Sequence, residues 1–229
     1  MAFFVVFFIF LVAFGNVFAG QIVITGDEME IKRSEELVIS KGNSRAANNT
    51  SLVVADKLLY DKTHSILSAS GNVKLFSKTE IGETFEAYGS FAEYNINSQK
   101  GKIWGERASI KYHKPNLNAP FILYAREIYV FKKAQILSAY NNVVVTTSFG
   151  IIYADNGIFN RKTFDVTFKK DKKRPVADIY YDGKKYLYEA DEMIFYNTDD
   201  NIRIVMNGSV VGKIEIEDKI NDIKNRKII

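Results

Sequence analysis

The chain has 229 residues with no cysteine and two histidines, which excludes disulfides, thiolate nucleophiles and zinc ribbons and nearly excludes a histidine metal cluster. Its 31 basic and 27 acidic residues leave a net charge of +4, which indicates at most a mild preference for anionic partners. A hydrophobic fraction of 47% with only 3 prolines predicts a folded chain with a substantial core, in one large or two small β domains.

Residues 1–19 carry no charged side chain and include an apolar run of about twelve residues. A membrane-spanning helix needs about twenty residues, and Val17, Phe18 and Ala19 resemble a small-residue cleavage site. We expect a cleaved signal peptide over residues 1–19. An uncleaved membrane anchor is the alternative, because no Lys or Arg precedes the apolar run. In both cases the rest of the chain leaves the cytoplasm, and export without cysteine fits a bacterial periplasm.

Two short elements then recur at a fixed spacing. Residues 66–73 (ILSASGNV) return at 136–143 (ILSAYNNV), and each copy follows an element that opens at Asp56 or Arg126. In both copies 15 residues separate the opening position from a Gly or Asn inside the second element. A repeat that conserves both its spacing and its residue identities predicts one structural unit used several times.

Beyond residue 20, short alternating runs of Val, Ile, Tyr, Phe and Thr lie between clusters of Gly, Asn, Asp and Lys, which are strand and turn signals. The pattern predicts a degenerate array of β-hairpins. Gly-Asn and Asn-Asn pairs inside it predict bulges or tight turns, because both residue types tolerate left-handed backbone. The units open, at irregular intervals, at Asp27, Asp56, Ser90, Glu106, Arg126, Asp155 and Asp191.

One apolar face is predicted along the whole array. Positions two and four beyond each opener are apolar or Gly, and the same parity continues into the return strands. Successive strand side chains point to opposite faces, so these residues share one side of a sheet. The small residues Ala69, Ala92, Ala108, Ala139 and Gly157 are expected to leave space there. We predict that this face is lined by Met29, Ile31, Leu58, Tyr60, Leu67, Ala69, Val73, Leu75, Ile128, Val130, Leu137, Ala139, Val143, Val145, Phe159, Met193, Phe195, Ile204, Met206 and Val210.

No linker divides the chain clearly, and the basic run over 169–175 is predicted to be a solvated hairpin loop. We therefore expect one β domain over residues 20–212 and a charged tail over 213–229. Residues 21–25 and 202–211 are the candidate edge strands, and such edges can pair with a strand of a partner protein.

The units follow the form Ala-Asp-x-Leu-x-Tyr-Asp, a short turn, then Leu-x-Ala-x-Gly-Asn-Val-x-Leu, and the chain opens on a leader. This combination resembles the OstA-like family, the LptA-type periplasmic proteins of lipopolysaccharide transport and their relatives, including LptC and the N-terminal domain of LptD. Arg126 and Asn141 depart from the Asp and Gly of the motif. The best match is residues 54–75, with weaker copies over 26–42, 124–145, 153–168 and 189–210.

The resemblance implies an all-β fold, an elongated open β-jelly roll folded like a taco, whose two sheets hold lipid acyl chains in an apolar groove. It implies lipopolysaccharide or a related lipid as the ligand. It also implies edge strands that pair with other β-jelly-roll transport proteins, or head to tail with a second copy, to bridge the inner and outer membranes. The alternative for the apolar face is the dry core that any two-sheet protein requires.

Catalysis is not predicted. Asp56, Asp155 and Asp191 each open a separate hairpin, which favours a turn or strand-entry role over paired acid and base chemistry. His64 falls in a predicted turn and His113 in a loop, so both are interpreted as solvated side chains. We expect no catalytic residue, no cofactor and no bound metal.

Nucleic acid is not an expected partner either. Trp104 and the many tyrosines are typical of β-rich cores, and no glycine-rich phosphate loop is present. The basic run over 169–174 is interpreted as an exposed loop, with phosphate groups of an anionic glycolipid or membrane as the alternative contact.

Three functions remain open from the sequence. The first is a non-catalytic periplasmic lipid carrier of the LptA type. The second is a membrane-anchored relative of the LptC type, which an intact residue 1–19 segment would favour. The third is a structural β-repeat protein of the envelope that binds no lipid.

Overall fold

The computed structural model describes residues 22–79, 82–115, 120–132, 134–147, 150–181, 183–197 and 202–215. The predicted leader over 1–19 and the tail beyond residue 215 lie outside the described residues. The described part contains sixteen strands and one 3-10 turn, Arg33–Glu35. All its strand pairs are antiparallel and lie in one sheet that does not close on itself. The prediction of an all-β, open jelly-roll architecture is confirmed.

The strands follow one another with short connections. In chain order they are β1 Val23–Thr25, β2 Glu28–Lys32, β3 Leu37–Ala47, β4 Ser51–Asp61, β5 Ile66–Lys78, β6 Thr84–Asn95, β7 Lys100–His113, β8 Phe121–Phe131, β9 Ile136–Thr147, β10 Gly150–Asn160, β11 Asp165–Lys169, β12 Val176–Tyr181, β13 Lys184–Glu189, β14 Glu192–Asn197, β15 Ile202–Asn207 and β16 Val211–Glu215.

The eight long strands β3 to β10 form a meander in which each strand pairs with its chain neighbours. The sheet divides at both ends of this meander. The first half of β3 pairs with β2 and its second half with β1. The first part of β10 pairs with β12 and its last part with β11. Two branches continue from there: the β11 branch (β11, β14 and β15) and the β12 branch (β12, β13 and β16).

A line of β-bulges crosses the meander, because a register shift interrupts every pairing from β3–β4 to β9–β10. At Gly71 and Asn72 the backbone has φ angles of 75° and 47°, in the left-handed region that glycine and asparagine tolerate. Asp56 lies inside β4 beside this bulge. The prediction that Asp56 begins a hairpin is therefore wrong, since the Gly-Asn pair makes a bulge and the strand continues through it.

The sheet also curls over on itself, so that strands that do not pair pack face to face. Phe121 at the start of β8 stacks on Phe159 near the end of β10, with ring centroids 4.7 Å apart. Glu83, just before β6, accepts a hydrogen bond from Arg161, just after β10, at 2.8 Å. These contacts join residues far apart in the chain and place the apolar core between two layers of the same sheet.

Candidate functional site

The inward face of the sheet is built from rows of residues that lie opposite each other on neighbouring strands. Residues paired in this way point to the same side. The side of the bulge line that contains the β4–β5, β6–β7 and β8–β9 turns is called below, and the opposite side above. The first row crosses twelve strands, from β2 to β15, below the bulge line. It contains Ile31, Val38, Tyr60, Leu67, Tyr94, Gly101, Val130, Leu137, Phe159, Val166, Phe195 and Ile204.

Two further rows run parallel to the first. The second, also below the bulge line, contains Met29, Ser40, Leu58, Ala69, Ala92, Ile103, Ile128, Ala139 and Gly157. The third lies above it and contains Ile24, Ala46, Val53, Leu75, Ala87, Ile110, Leu123, Val145, Ile152, Ala177 and Tyr188. None of the three rows contains a charged residue.

Most residues predicted for the apolar face are buried on this side. The buried ones are Leu58, Ala69, Val73, Ile128, Leu137, Ala139, Val143, Val145, Phe159, Met193 and Phe195. Six more are half-buried and pack against the core or beside it: Tyr60, Leu67, Leu75, Val130, Ile204 and Met206. Whether any of them contacts a lipid stays a prediction.

Three residues of the predicted set are exposed. Met29 and Ile31 retain 39% and 44% of their accessible surface, because they lie on β2, which pairs with β3 alone among the strands that the structure describes. Val210 is exposed for a different reason. The backbone leaves β15 after Asn207, Gly208 turns it at a φ of 82°, and Val210 lies in the connection to β16. The expected continuous strand over 202–211 is therefore two strands, and Val210 is not part of the inward face.

The centre of the interior is tightly packed. A Cβ atom placed on Gly157 would lie 3.1 Å from the ring of Phe168, whose side chain is fully buried. Outside the centre, beside the turn that joins β6 to β7, the ring of Tyr94 covers Gly101 in the same way, at 3.0 Å. The expectation that Gly157 leaves free space is wrong, because an aromatic side chain from β11 fills that space.

Four aromatic side chains fill one end of the interior, between the start of β8 and the hairpin that joins β10 to β11. Tyr112 packs on Phe159 and Phe164 at centroid distances of 6.0 and 5.7 Å, and Phe121 stacks on Phe159. Burial, together with a hydrogen bond to Glu83, raises the pKa of Tyr112 to about 12. This aromatic cluster fixes the distance between the two layers at that end.

Sequence reasoning missed several of the largest buried side chains, among them Phe121, Leu123, Ile152 and Phe168. Phe121 and Leu123 alternate with less buried neighbours and come before the unit opener Arg126. They lie outside the positions two and four beyond each opener that predict the apolar face, although the alternation in their own strand identifies them.

Four half-buried residues of the first row, Tyr60, Leu67, Tyr94 and Val130, lie along one rim of the inward face, next to the turns that join the long strands. Tyr60 and Leu67 flank the β4–β5 turn, Tyr94 precedes the β6–β7 turn, and Val130 precedes the β8–β9 turn. Burial raises the pKa of both Tyr60 and Tyr94, and the carboxylate of Asp61 adds to the shift at Tyr60. This rim is one part of the inward face that is both apolar and partly accessible.

The aspartates that open the units hold bulges and loops. The carboxylates of Asp27 and Asp56 accept hydrogen bonds from the side chains of Asn43 and Asn72 at 2.9 and 3.0 Å. Asp191 accepts one from the backbone N–H of Ser209 at 3.0 Å. We call the pairing of Asp27 with Asn43, and that of Asp56 with Asn72, a bulge clamp. These contacts favour the structural role that the sequence predicts for Asp56 and Asp191.

The histidines also have local roles in the structure. Nδ1 of His64 lies 2.7 Å from a carboxylate oxygen of Asp61 in the exposed β4–β5 turn, and hydrogen bonds from the backbone and side chain of His64 lower the pKa of Asp61. His113 is the last residue of β7. The described residues contain no group of three or more acidic or histidine side chains that could hold a metal ion. Nor does that part of the chain include a helix long and apolar enough to cross a membrane.

The architecture is that of an open β-jelly roll with an apolar interior. No model of a known protein family matches the chain, and no curated protein matches it either. Among solved structures, the chain is similar to the crystal structure of LptH from Pseudomonas aeruginosa, described as the LptA-homologous periplasmic component of the lipopolysaccharide transport device. The two are 10% identical over 70% of this chain and 94% of that chain, with a TM-score of 0.37.

Proposed function

We propose that the protein is a non-catalytic carrier that holds lipid acyl chains against its inward face, as a component of lipopolysaccharide transport through the periplasm. The observation that carries the proposal is the first row of the interior, which crosses twelve strands of an open sheet without a charged residue. An acyl chain needs a long apolar surface, and each CH2 group that it buries contributes about 0.8 kcal/mol.

The accessible rim is the proposed contact surface. Tyr60, Leu67 and Tyr94 lie side by side on β4, β5 and β6, and Gly101 of β7 separates Tyr94 from Val130 on β8; all four named side chains keep part of their surface exposed. The packed centre around Gly157 and Phe168 offers no space for a chain without rearrangement. We therefore place the acyl chains along the rim, with the exposed Ile31 at its β2 end.

The ends of the sheet support the proposed partners. On the described part of the chain, β1, β2, β15 and β16 each pair with a single neighbour. Unpaired strand edges can receive a strand from another protein, and the backbone hydrogen bonds then extend the sheet. A neighbouring envelope protein or a second copy placed at such an edge would continue the apolar rows across the junction. If residues 1–19 stay uncleaved, the same arrangement fits an anchored LptC-type component.

A second candidate function is a structural envelope scaffold that binds no lipid. The close approach of Phe168 to Gly157 favours it, because a dry, filled core is what a purely structural sheet requires. The two functions differ in one measurable respect, which is whether lipid co-purifies with the protein.

The test is purification without detergent exchange, followed by lipid mass spectrometry and site-specific photo-crosslinking. Crosslinkers replace Tyr60 and Val130 on the rim, and a matched crosslinker replaces Tyr153, which is 44% exposed on the outward face. We expect lipid adducts at the two rim positions and none at Tyr153. Absence of bound lipid, or equal labelling at Tyr153, would refute the carrier and favour the scaffold.

A further inference from the structure

The unit on β8 and β9 lacks the bulge clamp of the Asp27 and Asp56 units. In the units that open at Asp27 and Asp56, the aspartate carboxylate accepts a hydrogen bond from the asparagine of the bulge. The glycine before that asparagine has a φ of 66° in one unit and 75° in the other, and a Cβ atom there would collide with the carboxylate. The clamp therefore depends on aspartate, glycine and asparagine together.

In the unit on β8 and β9, Arg126 occupies the aspartate position and Asn141 the glycine position. The bulge is retained, because Asn141 and Asn142 both adopt left-handed backbone with φ angles of 66° and 59°. The side-chain amides of these two asparagines make no hydrogen bond to any described residue. The substitution thus replaces a closed clamp by two available amides beside a guanidinium group.

The loop between β11 and β12 faces this bulge and forms a cleft with it. Backbone contacts hold the loop in place: the N–H of Lys173 donates to Asp155 Oδ2 and the N–H of Lys170 donates to the carbonyl of Asp191, both at 2.7 Å. The cleft has a volume of about 290 Å³ and is lined by Arg126, Asn141, Asn142, Asp155, Asp171, Lys172 and Lys173.

The charges of this loop divide into two groups. Arg174 and Lys170 form ion pairs with Asp191, at 2.9 and 3.9 Å. By contrast, the side chains of Arg126, Lys172 and Lys173 form no ion pair within the described ranges, and they are exposed.

The cleft therefore has a positive excess. Its lining carries three cationic side chains and two carboxylates, which leaves one net positive charge. One of those carboxylates, on Asp155, is already engaged with the loop backbone.

We infer that this cleft binds a phosphate group. A guanidinium, two ammonium groups and two amides are donors suited to an anion with several acceptor oxygens, and a phosphate monoester brings about two negative charges. The volume accommodates the phosphate and part of the group attached to it. The ligand is then a phosphate monoester, carried by a lipid head group or by a small soluble molecule. The cleft lies on the outward face, so this inference goes beyond the proposed acyl-chain contact and does not depend on it.

Two probes distinguish the sources of the phosphate. Calorimetric titration of the full chain with inorganic phosphate at low ionic strength reports the free anion. Co-sedimentation with phosphatidylcholine vesicles that contain phosphatidic acid reports a monoester head group, and vesicles with phosphatidylglycerol at the same surface charge are the control. Binding of inorganic phosphate supports a site for the free anion. Selective binding of phosphatidic acid alone supports a lipid head-group site.

The decisive variant rebuilds the clamp. The pair Arg126→Asp with Asn141→Gly gives this unit the residues of the clamped units. We expect it to fold while binding weakens about tenfold or more, since a carboxylate replaces the Arg126 guanidinium and the Asn141 amide is removed. Lys172→Ala with Lys173→Ala should also weaken binding and leaves the bulge untouched. Lys74→Asp, on the outward side of β5 and three strands from β8, is the charge-matched control.

Wild-type affinity in the rebuilt pair would overturn the inference. Equal weakening by Lys74→Asp would also overturn it, because binding would then follow net charge alone. Failure of the wild-type protein to bind either probe would do the same. None of these results bears on lipid adducts at the rim, so the two proposals fail separately.

Discussion

Replacing Val143 by aspartate tests whether the alternation of side chains is assigned to the correct faces. Val143 lies on β9 with 1% of its surface accessible and pairs with Ala154 on the inward side. Loss of the buried valine costs about 1.5 to 3 kcal/mol. A buried polar group without a partner adds about 1 to 3 kcal/mol. The variant should therefore lose about 2.5 to 6 kcal/mol, a large part of the roughly 5 to 15 kcal/mol that stabilises a typical domain.

The matched control is Val144→Asp, which carries the same change to the next residue, half-buried on the outward face between Tyr124 and Tyr153. There we expect a loss of about 1 kcal/mol, mainly from the poor strand propensity of aspartate. Urea unfolding followed by circular dichroism measures both. Equal losses in the two variants would refute the assignment of faces.

The pH dependence of Val143→Asp gives an independent check. Burial raises the pKa of a carboxyl group in the folded state above its unfolded value near 3.9. The loss of unfolding free energy caused by the carboxyl group is therefore smallest below its unfolded-state pKa. That loss grows as the pH rises from the unfolded-state pKa to the higher folded-state pKa. The difference from wild type should shrink as the pH is lowered towards 4. A difference independent of pH would mean that the introduced carboxyl group is solvated.

Three smaller changes test other contacts. Gly71→Ala should lower the free energy of unfolding by about 1 to 3 kcal/mol, measured by thermal unfolding, because its φ is 75° and the new methyl group meets a carboxylate. The control Gly183→Ala has a φ of 68° and nothing within 4 Å of its Cβ position, and it should cost only about 1 kcal/mol. Equal costs would show that the clamp contributes nothing. Arg161→Gln breaks the 2.8 Å ion pair with the mostly buried Glu83 and should lower the free energy of unfolding by about 1 to 3 kcal/mol. An unchanged free energy of unfolding would contradict a stabilising contact between the two layers. The pKa of Asp61 is lowered below 3.8 in the folded state. The stabilisation that its carboxylate gives is therefore present above pH 3.8 and is lost as the pH falls through the lowered pKa. Asp61→Asn should remove this loss of stability in acid, and a urea-unfolding profile between pH 2 and 5 that the substitution leaves unaltered would contradict the prediction.

The inward face could be predicted because strand parity is local. Leu58, Ile128 and Val143 follow from alternation within single strands, and each is buried as that alternation requires. The bulges preserve the assignment, since each Gly-Asn or Asn-Asn pair lets the strand continue with apolar side chains still inward.

The remaining features depend on contacts between distant parts of the chain. Nothing in the sequence around β10 indicates that its two halves take different partners, because that choice depends on where β11 and β12 dock. The packing of Phe168 against Gly157 follows from the same docking. The anion cleft required two segments about thirty residues apart to meet, although Arg126 and Asn141 were already visible as departures from the repeat.

The order in which the chain visits the two branches makes the ends of the sheet mechanically unequal. After β10 the chain enters the β11 branch, crosses to β12 and β13, returns to β14 and β15, and crosses again to β16. Within the described residues, three covalent crossings join the two branches there, whereas a single connection joins β1 to β2 at the other end. Pulling the layers apart near β15 and β16 would therefore strain three tethers. Pulling the layers apart at β1 and β2 would strain a single tether. The interior should therefore open more easily at the end formed by β1 and β2.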